Sequence, residues 1–332
     1  MVRKFSFLGT GVFTLILVFW MIGVSVAAAI VIAVLLLMKI SLSTYTYYLI
    51  LGIPELLLVV PLIVYMAVTK TSFTALIGNR TGIKQNLLAL LVGVLSAPAL
   101  IGLSALLQWL FSLLGANMTG TSVIEPVTAG QLLVGVLAIG VLAGVVEEPI
   151  FRGVILRGIG SAAGRRAAVV LTALLFSMVH LDAVGLLPRF LIGLILGTMA
   201  WRSGAILPGI FTHAAYNSTL LAVSFAFSAL MPGWNGFALL PGASQDLNGA
   251  LTWVLISIPF AAATWGAYRL FARATPVSSA WSEKPYAAAE TRAVHFIPWI
   301  AVGAVLLVLT TLILVFMFLS ADAIRQLPQF FR

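Results

Sequence analysis

Two adjacent carboxylates, Glu147 and Glu148, close an almost unbroken apolar run, QLLVGVLAIGVLAGVV. Downstream apolar stretches deliver one histidine each, His180 and His213. Ionisable side chains at membrane depth are costly and by default mark a functional site. In a chain that is only 8% charged, this cluster is therefore where chemistry should be sought. Carboxylates and imidazoles can take and give protons, activate water or ligate a metal.

The first motif runs Glu147-Glu148-Pro149-Ile150-Phe151-Arg152. On a helix Glu148 and Arg152 are four apart with the acid on the N-terminal side, the favourable order for an ion pair. Glu147 lies about 100° round the helix and lacks that partner. A carboxylate left unpaired in a low-dielectric site suits a general base or acid working near neutrality. Pro149 cannot donate to the carbonyl of Val145, so a kink is expected where the acids sit. The plainer alternative is a helix end whose two acids face water.

In the second motif, Phe176 and His180 share a helix face, and the ring could wall the pocket that receives the imidazole. The alternative is a core histidine bonded to a backbone carbonyl. In the third, His213 and Asn217 lie one turn apart with two alanines among the residues between them, which permits close helix approach. Together they could bind a water, a metal or an oxyanion, or simply hold two helices together. Small-residue pairs Gly140/Gly144 and Gly193/Gly197 need no explanation beyond helix packing.

Depth links the three motifs. Arg157, Arg166 and Arg202 serve as interface markers, and at about 1.5 Å per residue Glu147, His180 and His213 fall roughly 15–21 Å from the cytoplasmic side. A shared depth near the bilayer middle is expected of one site.

The elements that must position these groups are membrane helices. The chain has 332 residues, 62% of them hydrophobic, with a mean hydropathy of +1.15. An ordinary soluble domain is closer to half apolar. The continuous apolar runs fit helices rather than the alternating pattern of a barrel. The expected fold class is all-α, a polytopic transmembrane bundle of about 8–9 spans. Candidate spans lie near residues 9–38, 46–69, 86–115, 129–156, 167–182, 186–201, 204–226, 249–270 and 296–320. The fifth and sixth are short and joined by a tight turn, LDAVGL.

With the N-terminus in the cytoplasm, 14 of the 18 Lys and Arg fall on the inner side, leaving Lys39, Arg189, Arg325 and Arg332 outside or at the far interface. This places the chain in the cell membrane as a multi-pass protein. The net charge of +9 is spread over loops, with no dense basic tract for nucleic acid. The absence of Cys excludes disulfides, thiol nucleophiles and Cys-ligated zinc. The N-terminal basic pair and SVAAA resemble a signal peptide, but the apolar run continues to Met38, as in a retained anchor. Residues 70–84 are expected to form a cytoplasmic linker with a short interfacial helix, and residues 272–292 a mobile cytoplasmic loop. Three regions follow: 1–125 with three spans and the linker, 126–226 with the chemistry, and 227–332 with two spans.

Taken together as EExxxR, FxxxH and HxxxN, the motifs resemble the CPBP family (CAAX proteases and bacteriocin-processing enzymes, also called Abi) over about residues 130–225. The resemblance implies an intramembrane endopeptidase acting on a peptide or membrane-protein substrate. It implies that Glu147 activates water, that His180 is its partner, and that His213 with Asn217 stabilises the oxyanion. Glu148, Arg152 and Phe176 take the supporting places. A metal, zinc held by Glu147, His180 and His213, and a metal-free carboxylate mechanism both remain open. HExxH, GxGD and GxSxG motifs are absent, which disfavours other intramembrane and serine proteases. A non-catalytic membrane regulator or immunity protein on the same scaffold is the rival reading, and a proton-coupled carrier is the third.

Overall fold

The computed structural model describes residues 5–40, 42–114, 126–230, 246–281 and 293–326. The expected 272–292 loop lies outside the described residues beyond Trp281. Among the described residues there is no strand, only an isolated antiparallel bridge between Gly78 and Ala205. The molecule is an all-α polytopic bundle.

Its helices are α1 (Phe7–Leu37), α2 (Thr44–Leu57), α3 (Val59–Thr69), α4 (Phe73–Ile77) and α5 (Ile83–Leu113). A composite rod follows: α6 (Ala129–Gly135), π1 (Val136–Val141), α7 (Leu142–Glu148), π2 (Pro149–Ile155) and α8 (Leu156–Met178). The remainder are α9 (Ala183–Ser203), α10 (Leu207–Leu230), α11 (Leu247–Ala274) and α12 (Ile297–Gln326), the last entered by a 3₁₀ turn at Ala293–Phe296. Seven helical stretches among the described residues are long and apolar enough to cross a membrane. One of them, Ala129–Met178, contains both the fourth and the fifth expected spans. The two are separated at Gly164, whose φ of 76° and ψ of 176° break the helix. The expected span at 204–226 is α10, which lies outside those seven.

Where a kink was expected, Pro149 keeps helical dihedrals (φ −56°, ψ −37°). The chain widens there into π2, where the N–H of Leu156 reaches the carbonyl of Phe151, five residues back. All seven residues of π2 are buried, so the segment after the two acids is the centre of the main apolar core.

Glycines set how closely the surrounding helices approach. A Cβ on Gly93 of α5 would lie 2.2 Å from the carbonyl oxygen of Thr212, the residue before His213. The Thr212 hydroxyl donates to the Ala89 carbonyl at 2.8 Å, fixing α10 against α5. Gly144 of α7 likewise abuts the Ala214 N–H and the Ile210 carbonyl.

At one end of the bundle the spans are tied together by the segments that link them. Asn79 N–H donates to Gly204 O at 2.8 Å, and Ile206 N–H to Ile77 O at 3.0 Å, across the α9–α10 turn. Gly78 (φ 82°) and Gly204 (φ 63°) supply the left-handed conformations this contact needs. Ser278 N–H donates to Arg202 O at 2.8 Å, and Trp281 is buried, so the first part of the expected mobile loop is docked. Short helix α4 falls in the linker as expected. Arg157 donates to Ala75 O at 2.7 Å and lies 3.5 Å from the Phe5 ring centroid.

Because Gly93 seats the turn of α10 that carries His213, Gly93→Val should destabilise the fold by roughly 1–3 kcal/mol through overpacking. Thermal unfolding in detergent should show a lower midpoint than that of wild type.

Candidate active site

Four elements deliver the polar groups. Helix α7 ends on Glu147 and Glu148, which are only 2% and 0% exposed, so neither faces water at a helix end. The turn after α8 presents His180, and α10 presents His213 and Asn217. The fourth element, α2, contributes Glu55.

Glu148 and Arg152 form the expected pair, Oε1 to Nη1 at 2.6 Å, with both side chains fully buried. Arg152 also donates from Nη2 to the Gly193 carbonyl at 3.4 Å, and its Cζ lies 4.6 Å from the Phe176 ring centroid. Desolvated charges need such additional partners, because ion-pair attraction alone rarely offsets the cost of burial. The same Glu148 Oε1 lies 3.0 Å from His213 Nδ1. Glu148 thus links the guanidinium to an imidazole, a contact that sequence spacing did not reveal. Gly209 leaves room for it, since a Cβ there would sit 2.6 Å from Glu148 Oε2.

Glu147 faces both histidines. Its Oε1 is 3.9 Å from His180 Nε2, and its Oε2 is 4.0 Å from His213 Nε2. These gaps exceed direct hydrogen bonds but suit bridging by a small molecule such as water. The far nitrogen of each ring is already held. His180 Nδ1 lies 2.7 Å from the Phe176 carbonyl, which can only accept, so Nδ1 carries the proton and Nε2 offers a lone pair. Both sequence readings of His180 therefore hold at once, one at each ring nitrogen. His213 Nδ1, against the Glu148 carboxylate, is placed in the same way.

Phe176 packs edge-on against both imidazoles, with centroids 5.0 Å from His180 and 5.5 Å from His213. Its ring is the common wall of the cluster. Asn217 makes the interhelical bond that the plainer reading allowed. Its amide N–H donates to the Ile139 carbonyl at 3.1 Å, within π1, where the wide turn leaves backbone groups to be paired. One amide hydrogen remains for other partners. The side chain of His180 is 25% exposed, against 3% for Glu147 and 5% for His213, so the cluster opens toward the α8–α9 turn.

Two imidazole nitrogens and a carboxylate have the right chemistry for zinc. Among the described residues, however, no three His, Asp or Glu groups are placed to hold an ion.

Glu55 is the residue that sequence reasoning passed over. It is close enough to Glu147 and His213 to interact with them electrostatically, and its Oε2 is buried without a hydrogen-bond partner. The rule that flagged Glu147 would have flagged Glu55, a lone acid inside the apolar run ILGIPELLLVV.

Residues 129–219 match the family model described as Type II CAAX prenyl endopeptidase Rce1-like. The match spans every motif residue from Glu147 to Asn217 and agrees with the CPBP resemblance. No curated protein and no solved structure matches the chain.

The buried pair makes a stability prediction. Arg152→Met removes one partner and leaves Glu148 as an uncompensated buried charge, which should cost about 3–5 kcal/mol. Adding Glu148→Leu should recover a substantial part of that loss. Thermal unfolding of the single and double variants in detergent reads the difference.

Proposed function

We propose that this chain, whose residues 129–219 match an endopeptidase family, is an intramembrane endopeptidase that hydrolyses a peptide bond with water activated by Glu147. The supporting observation is the placement of the Glu147 carboxylate opposite two imidazole Nε2 atoms, at 3.9 and 4.0 Å. A water between them would donate its hydrogens to the carboxylate and to an imidazole. Its lone pairs would then be directed at a scissile carbonyl.

Glu147 takes a proton as the water oxygen bonds to the carbonyl carbon. The tetrahedral intermediate collapses with cleavage of the C–N bond. The proton held by Glu147 passes to the leaving amine, directly or through His180, and the carboxylate is regenerated. While the intermediate lasts, that same proton can be shared from Glu147 to His213 Nε2, making an imidazolium flanked by Glu148 and Glu147, and it returns to Glu147 for the collapse. The imidazolium Nε2–H, with the second amide hydrogen of Asn217, can donate to the oxyanion. Glu148 acts here by orienting His213, and Arg152 by holding Glu148 in place.

The substrate is read as a peptide of a membrane-embedded or membrane-associated protein, reaching the site past His180. The family description names a prenylated CAAX end as one such peptide. The charge asymmetry supports a cytoplasmic-membrane location with the N-terminus inside, and nothing in the charge pattern calls for nucleic acid.

Reconstituted protein should cleave members of a panel of fluorescence-quenched peptides, offered with and without an S-prenylated cysteine. Glu147→Gln and His180→Ala, inserted to wild-type levels, should each lose about 100-fold or more in kcat. Wild-type cleavage by Glu147→Gln would overturn the assignment. A retained cellular effect in that inactive variant would favour the non-catalytic regulator instead.

A further inference from the structure

We propose that Arg189 is a specificity-determining residue of this site: its guanidinium binds a carboxylate of the substrate peptide close to the scissile bond. The inference rests on the hydrolytic reading of the cluster around Glu147, and it names a charge that the cleaved peptide carries.

Position carries the argument. Helix α9 runs from Ala183 to Ser203, so Arg189 lies about 20 Å along its axis from Arg202, the depth reckoned for His180. A cation at that depth marks a functional site by default. One turn further along the same face of α9, the Gly193 carbonyl accepts from Arg152 at 3.4 Å, so this face is turned toward the buried ion pair. The Arg189 side chain is 29% exposed, close to the 25% of His180, and both stand at the open edge of the cluster. Arg189 is also close enough to His180 and to Tyr216, one turn beyond His213 on α10, to act on both electrostatically.

The turn that delivers His180 also aims Arg189. Leu181 has a φ of 51°, a left-handed conformation uncommon outside glycine, and its N–H donates to Met178 O at 3.1 Å. This one residue sets the directions of His180 on one side and Asp182 on the other. Asp182 Oδ1 caps α9, accepting from the N–H groups of Val184 and Gly185 at 3.1 and 3.2 Å. Its Oδ2 accepts from Arg189 Nη1 at 2.7 Å. A Cβ on Gly185 would collide with that nitrogen, so the glycine leaves the guanidinium room to fold back over the first turn of α9.

Chemistry identifies the ligand. Asp182 shares its charge with the positive end of a helix and so does not use up that of the arginine. Of the five N–H donors of Arg189, Asp182 takes one, and the others form no hydrogen bond among the described residues. A planar fork with free prongs matches a carboxylate in two-pronged contact. Glu147 and Glu148 repel an anion from the inner cluster. A carboxylate held at Arg189 therefore fixes which way the peptide lies across the site.

A quenched peptide cleaved by reconstituted wild-type protein can be made in four forms, with a free C-terminal carboxylate or an amide, and with Glu or Gln beside the cut. Wild type should prefer a charged form by roughly 10- to 100-fold in kcat/KM, mostly through KM, as expected for hydrogen bonds to charged groups. Sensitivity to amidation identifies the chain terminus as the ligand, and sensitivity to Gln identifies a side chain. Arg189→Gln should cleave all four forms at similar rates, a levelling that mere loss of stability would not produce. Equal cleavage of the four forms by wild type overturns the role, and so does a preference that persists in Arg189→Gln. Where Arg189→Gln does not fold, Arg189→Lys replaces it. Lysine keeps the charge without the fork, so the preference should shrink about threefold or more, and an unchanged preference overturns the proposal. Glu147→Gln, run alongside, separates the two claims. If it cleaves like wild type, or if no peptide is cleaved by wild type, the hydrolytic reading falls and takes this role with it. If it is inactive while wild type ignores peptide charge, the role of Arg189 alone falls.

Discussion

One guanidinium is buried among carboxyl groups, and much of the bundle is arranged around that fact. Arg152 and Glu148 are both fully buried, and a charge removed from water must find hydrogen-bond partners or the fold fails. Arg152 uses Glu148 from its own rod, the Gly193 carbonyl from α9 and the face of Phe176 from α8. Glu148 in turn binds His213 from α10. Four packed segments are thereby held within hydrogen-bond reach of one ion pair. The close approaches at Gly209, Gly144 and Gly193 follow from that requirement, because each would place a Cβ against a backbone or side chain of the network or its neighbours.

The two π segments bracket the acids and solve different problems. In π2 the wide turn accommodates Pro149, and Arg152 stays within reach of Glu148. In π1 the wide turn leaves the Ile139 carbonyl for Asn217, which ties α10 to the rod one turn beyond His213. A regular α-helix through residues 136–155 would pair these carbonyls internally and rotate the acids relative to α10. Insertion of a side chain into a widened helix is a common cause of such irregularity at functional positions.

Much of the architecture was legible because continuous apolar runs admit few structures in lipid other than helices. Convergence of Glu147, His180 and His213 was also legible, since helix rise converts sequence distance from flanking arginines into depth. The remaining features depend on contacts between distant segments. Nothing local to His213 indicates that Glu148 will hold its Nδ1, nor does HxxxN spacing show that Asn217 turns to a carbonyl in π1. Pro149 invited a kink because local rules treat proline as a break, while tertiary packing selected the wider turn. Glu55 was different: the cost argument applied to it, but a lone acid offers no spacing with which to pair it. Only the fold brings it near Glu147 and His213.

The hydrogen-bond bookkeeping of the cluster explains why it should polarise water. His180 Nδ1 is committed to a carbonyl and His213 Nδ1 to a carboxylate, so both rings turn lone pairs toward Glu147. The gap between Glu147 and the two Nε2 atoms is thus lined by acceptors on three sides. A molecule that settles there must donate. Water does so with both hydrogens, which leaves its electron density on the open side, toward the more exposed edge marked by His180.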